Sequence, residues 1–243
     1  MQYHLADRPP VATAIAAAQA AQDLDQLYEA IASYRGHELA QTQPYSPSQR
    51  TTHHRPIMIV TEKPEPNDHV EGRPFSGDYG QLMRETLGEI GVDQEDFHIA
   101  YAIHWTPPAE KAPNKTTIAA SRPFLYREIE LVAPRVLIAP GRHVVEALTG
   151  YRGHITPILD QTLAYEGPGG PLQAYVTWHP AWPLRFGADR PEFTNQWRHA
   201  LEQYGEERDN TIPGQRKKPR PGDPNYNFMR DGLFEGLAAL NAA

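Results

Sequence analysis

The chain has 243 residues, of which 40% are hydrophobic and 22% charged, and its formal net charge is −7. That describes one ordinary domain with extensions, and it excludes a protein that coats nucleic acid through a dominating basic field. With no cysteine in the sequence, disulfides, thiolate catalysis and cysteine-ligated zinc or iron–sulfur centres are excluded as well.

The opening MQYHLADRPP has no apolar core, and the small-residue run after it is too short to span a bilayer. An intracellular protein without a membrane segment is the expectation. Residues 11–34 read as one long Ala-rich helix with Leu24, Tyr28 and Ile31 along one face. Residues 35–55 are polar and turn-rich, so they read as irregular. PIMIV (56–60) is a short, continuous apolar strand, followed by a Pro-rich loop. DYGQLMRETLGEIG (78–91) is an amphipathic helix closed by Gly91. FHIAYAI (97–103) is a second strand, and 116–132 a helix with Thr116 or Thr117 near its cap. RVLIAP (135–140) is a third strand, GRHVVEALTG a short helix, LQAYVTW (172–178) a fourth strand, and 192–204 a last helix.

The expected organisation is a helical and irregular lead-in (1–55), an α/β domain (56–204) and a polar, Pro-rich extension (205–243). The basic cluster Arg216-Lys217-Lys218 with Arg220 in that extension reads as a solvated linker or as a phosphate-contacting arm.

Strands alternating with helices predict a four-stranded parallel sheet between helices, a three-layer αβα fold. In such folds ligands bind outside the carboxyl ends of the strands. Here those ends carry Glu62-Lys63-Pro64, His104-Trp105, Pro140-Gly141 and Trp178-His179-Pro180. Four loops that converge make a candidate site.

Read together, GRPFSGDYGQLM (72–83), IAASRPFLYREIELVAPRVLIAPG (118–141) and WHPAWPLR (178–185) resemble the uracil-DNA glycosylase superfamily, most closely its thermostable iron–sulfur branch. The resemblance implies a four-stranded parallel sheet between helices. It also implies an enzyme that flips a base out of DNA and cuts its N-glycosidic bond.

Carried over residue by residue, the resemblance puts Asp68 where the family places a water-positioning Glu, with Glu62 beside it in Thr61-Glu62-Lys63-Pro64-Glu65. Two family glycines are replaced, by Thr61 and Glu65. Asp68 also reads as a turn or cap residue. Phe75, in Gly72-Arg73-Pro74-Phe75, matches the aromatic that stacks on the flipped base, or it is a core phenylalanine under the loop. His179 matches the histidine that hydrogen-bonds the departing base. Leu184 matches the residue that wedges into the opened duplex, and Arg185, like Arg73, is expected to contact DNA.

Two departures stand out. The positions of the branch's four cluster cysteines hold Ser33, Gly36, Trp105 and Ser121, so no cluster, metal or other cofactor is expected. Packing around Trp105 and the first helix would take the cluster's place. Tyr101 stands where the family has an Asn that reads the uracil edge, and His104 stands at a family Lys. A phenol cannot supply both the donor and the acceptor of an amide. Tyr101 and His104 are therefore expected to shape or read a base other than plain uracil, or else Tyr101 blocks the pocket. The expected function is hydrolysis of a non-standard or modified pyrimidine from DNA by a monomer. The alternatives are a base-modifying transferase of viral DNA hypermodification on the same fold, and a non-catalytic binder of modified DNA.

Overall fold

A computed structural model describes residues 9–50, 57–94, 97–107, 114–165, 167, 170–186 and 190–209. Four strands, β1 (Ile57–Thr61), β2 (His98–Tyr101), β3 (Val136–Pro140) and β5 (Leu172–Thr177), lie parallel, and β4 (Thr162–Tyr165) pairs antiparallel with β5. The sheet order is β2-β1-β3-β5-β4. All four expected parallel strands are present. The fifth was hidden because TLAY is too short to show a period and lies between Pro- and Gly-containing turns.

Successive side chains of a strand point to opposite faces, and this divides the core in two. Met58, Val60, Leu137, Ala139 and Val176 pack with Leu125 and Ile129 of α6 (Lys115–Val132) and Val144 and Leu148 of α7 (Arg142–Thr149). Ile57, Ile59, Ile138 and Tyr175 pack with Leu82, Met83 and Leu87 of α5 (Asp78–Ile90) and Phe193 and Trp197 of α9 (Arg190–Asp209). A sheet apolar on both faces must be covered on both, which makes the three layers.

The helix expected over 11–34 is broken into α1 (Pro9–Ala20) and α2 (Leu24–Ser33). Asp23 causes the break: its carboxylate accepts the Gln26 amide at 2.8 Å and caps α2. Residues 35–55 include a further short helix, α3 (Glu38–Thr42). Helix α6 starts one residue earlier than expected, capped by Asn114, which accepts the Thr117 amide at 2.9 Å. Helix α9 continues past 204 to Asp209, and the rest of the expected extension, with its basic cluster, lies outside the described residues.

A third cluster joins the N-terminal helices to the domain. Ala14, Ala18, Leu27, Ile31 and Tyr34 pack on Trp105 and on Phe124 of α6. The Trp105 ring centroid lies 5.6 Å from Tyr34 and 6.3 Å from Phe124. Beneath it, Glu128 is fully buried and accepts from the Tyr28 hydroxyl at 2.7 Å, with His98 Nε2 at 2.9 Å from the same oxygen.

His104 is buried in this layer, edge-on to Trp105 and Phe124, with no hydrogen-bond partner on either ring nitrogen among the described residues. Burial pushes its pKa down to about 4, against an opposing pull from Glu128. An unfolded histidine titrates near 6.5, so between these values the unfolded chain binds the extra proton. Stability from this group is therefore complete above about pH 6.5 and is lost as pH falls toward 4. In urea titrations the midpoint is expected to drop over that window, and His104→Leu should flatten the drop.

Candidate active site

The carboxyl ends of the central strands are tied together by backbone hydrogen bonds. Ala102 N–H donates to Thr61 O at 2.7 Å, Ile103 N–H to Glu62 O at 3.0 Å, and Gly141 N–H to Thr177 O at 2.9 Å. Above them opens a cavity of about 180 Å³. Pockets for drug-sized ligands run to roughly 300–1,000 Å³, so this one is the size of a single ring.

Asp68 enters from α4 (Pro66–Glu71), a short helix within the expected Pro-rich loop. Pro66 sets the first helical residue and Gly72, with φ of 68°, ends the helix. The carboxylate is buried and held by three donors: Ser76 N–H to Oδ1 at 2.9 Å, Glu65 N–H to Oδ2 at 3.0 Å, and the Tyr101 hydroxyl to Oδ2 at 3.1 Å. Asp68 is thus a cap residue and a cavity residue at once.

Phe75 also lines the cavity, in the left-handed region at φ of 56°. That conformation costs a non-glycine residue about 1–2 kcal/mol. Its surroundings hold it there. Arg84 donates to its carbonyl at 2.8 Å, the next amide binds Asp68, and Gly80 lets α5 pass so close that a Cβ would sit 1.6 Å from the Phe75 oxygen.

His179 follows β5, where the chain turns into α8 (Ala181–Phe186). Its Nδ1 accepts the Ala181 amide at 3.1 Å and its carbonyl accepts the Trp182 amide at 2.8 Å. Gly141, at φ of 92°, leaves room for it: a Cβ there would lie 2.9 Å from the His179 Cβ. Tyr79 meets the ring edge-on at 5.5 Å. Burial drives the His179 pKa down to about 4. Glu62 pulls against this, while Lys63, Arg185 and His143 add to the lowering. The imidazole is neutral near pH 7, and with Nδ1 accepting, its proton sits on Nε2.

Glu62 lies at the end of β1 and bonds His143 Nδ1 at 2.8 Å. Burial raises its pKa, but the His143 hydrogen bond and the charges of His143, His179 and Lys63 bring it below the usual carboxylate value.

The model of the uracil DNA glycosylase superfamily matches residues 47–202. This chain belongs to the uracil-DNA glycosylase superfamily. Over 141 residues it is 35% identical to the type-4 uracil-DNA glycosylase of Pyrobaculum aerophilum, covering 56% of this chain and 72% of that protein. It is 31% identical over 130 residues to that of Thermotoga maritima, covering 53% and 66% respectively. To that of Sulfurisphaera tokodaii it is 29% identical over 130 residues, covering 51% and 59%. The chain thus spans between about three fifths and three quarters of the length of these relatives.

An iron–sulfur cluster does not fit this member of the superfamily. Trp105 fills its position with an indole that is 1% exposed, Ser121 is fully buried, and at Gly36 a Cβ would meet the Tyr34 hydroxyl at 2.6 Å. The aromatic packing expected around Trp105 is what occupies this region.

Of the residues singled out in the sequence, Glu62, Asp68, Phe75, His179 and Arg185 share the one cavity. Arg185 reaches the Tyr79 hydroxyl at 3.2 Å. Leu184 stands beside it on α8 and is 48% exposed. Arg73 is exposed at the end of α4, away from the lining. Tyr101 and His104 do not reach the lining either, which revises their expected part in base reading. The Tyr101 hydroxyl is directed to Asp68 instead, and burial together with the charge of Asp68 pushes its pKa far up. His104 turns away into the Trp105 layer.

Sequence reading passed over His143 and Tyr79. His143 had a visible signal, because it lies just past Pro140-Gly141 at a strand's carboxyl end. Tyr79 had none, being one polar-tipped aromatic on an amphipathic helix. Thr61 and Glu65, which stand at the positions of two family glycines, are among the residues lining the cavity.

Proposed function

We propose that this protein is a DNA glycosylase that flips a non-standard or modified pyrimidine into the cavity and hydrolyses its N-glycosidic bond. One observation carries the reading: a neutral His179, oriented by the Ala181 amide, shares a ring-sized cavity with Phe75 and Asp68. As the bond breaks, negative charge grows on the base, and the Nε2–H of His179 is a fixed donor for a base oxygen. Such a preorganised donor contributes about 2.7–4 kcal/mol to the barrier. Phe75 stacks on the base, an interaction of roughly 1–3 kcal/mol that tolerates many rings. The charge of Asp68, supported by Glu62, stabilises the oxocarbenium-like sugar and holds the attacking water. Leu184 fills the gap in the duplex and Arg185 contacts a phosphate.

The lining supports the proposed substrate class. Among the described residues that line the cavity, none carries an amide side chain able to pair with both a donor and an acceptor on the uracil edge. The expected result is release of a modified pyrimidine faster than of uracil. Duplexes carrying uracil, 5-hydroxymethyluracil and larger 5-substituents would be incubated with the protein, with abasic sites read as alkali-labile breaks and nucleosides weighed by mass spectrometry. A mass increase without abasic sites would indicate group transfer instead, and no change with any duplex would sink the glycosylase reading.

A further inference from the structure

The cavity holds a second imidazole, and its hydrogen bonds are the reverse of those of His179. His143, at the start of α7, has Nδ1 2.8 Å from Glu62 Oε2 and Nε2 3.1 Å from Arg142 Nη2. An ionised carboxylate only accepts and a guanidinium only donates. A His143 ring with a single proton therefore carries it on Nδ1 and presents a lone pair at Nε2. His179, with Nδ1 accepting from Ala181, presents a proton at Nε2. One side of the cavity can give a hydrogen bond, and another can take a proton.

Asp68 is less open as a proton acceptor. Three donors already occupy three of the roughly four lone-pair positions of its carboxylate. Arg142, in contrast, is exposed and opens α7 just past the carboxyl end of β3, so a DNA phosphate can draw its guanidinium away from His143.

We propose that His143 is the general base of the hydrolysis, oriented by Glu62 and uncovered when Arg142 turns to the DNA backbone. The inference rests on the glycosylase reading. In the step, the C1′–N bond breaks and its electron pair leaves with the base, whose oxygen is held by His179 Nε2–H. The water oxygen bonds to C1′ and one water proton passes to His143 Nε2. The products are a deoxyribose with a C1′ hydroxyl and the base anion, which regains a proton from the imidazolium or from solvent. Glu62 plays the part that a buried carboxylate plays behind a catalytic histidine elsewhere: it fixes the tautomer and stabilises the imidazolium.

The test is single-turnover excision from a duplex carrying the best substrate, followed across pH. The other titratable or charged groups facing this cavity are Glu62 and Lys63 after β1, Glu65 and Asp68 on or before α4, Tyr79 on α5, and His179 and Arg185 around α8, with Arg142 of α7 against the His143 ring itself. His143→Gln is expected to slow excision by about 10²–10⁴-fold, the usual contribution of a general base. It should also abolish the acid limb of the profile while leaving affinity for a duplex with a tetrahydrofuran abasic analogue unchanged. Glu62→Gln, as a second variant, should slow excision too, since the ring loses its tautomer-fixing acceptor. Wild-type rates in both variants, or a slow His143→Gln enzyme that keeps its acid limb, would overturn the proposal and leave the glycosylase reading standing. A wild-type protein that excises no base at all would overturn both.

Discussion

Replacing His179 by alanine is expected to lower base excision by about 10²–10³-fold, the cost of deleting one preorganised donor to a developing anion. The loss should fall on the chemical step. In the proposed reading, affinity for duplex DNA is assigned to Phe75, Leu184 and Arg185, which the substitution leaves in place, so it should be unchanged. His179→Gln is the sharper comparison, because an amide can still donate and should recover part of the rate. The pH behaviour is fixed in sign. Because burial holds the His179 pKa near 4, the ring is already neutral across the range where an ordinary histidine titrates. Its donor role therefore needs no deprotonation step between pH 5 and 7, and any acid limb in that interval must come from another group. Single-turnover rates of wild type and both variants between pH 4.5 and 8 would check this.

The second large effect concerns stability. Trp105→Ala removes a fully enclosed indole that packs against Tyr34, Phe124 and His104. Truncating a buried aromatic of this size costs about 3–5 kcal/mol. At roughly 2–4 °C per kcal/mol for a chain of this length, the melting temperature should fall by about 6–20 °C. The damage should begin in the N-terminal layer, because α1 and α2 meet the domain there. Hydrogen exchange would show it as early loss of protection over residues 9–34, ahead of the sheet. Trp105→Phe should recover most of the loss.

The sequence made the sheet legible because each parallel strand is a short, mostly apolar run that breaks into a polar or proline-containing loop. Buried strands covered on both faces read that way, and the loops after them could be named before any coordinates. Asp68, Phe75 and His179 were legible by motif. What could not be read is how polar tips are directed. Tyr101 was expected to face the base, but its position on β2 puts the hydroxyl within reach of Asp68, and a buried carboxylate outcompetes an empty cavity for that proton. His104 was misplaced for a related reason: it lies three residues past the end of β2, where the backbone has left the strand and residue spacing no longer sets the side-chain face. Helix α8 is six residues with a proline inside it, too short for a period, yet its first amide determines the tautomer of His179. His143 needed only the question of what else sits beside a strand terminus.

An aromatic plug where relatives of the iron–sulfur type would keep an inorganic centre also changes what this protein requires from its surroundings. Folding needs no iron supply and no assembly machinery, and nothing in that layer is open to attack by oxygen or chelators. Such an enzyme should regain its activity on simple dilution from denaturant, and EDTA or peroxide at doses that bleach a cluster should leave its repair capacity intact.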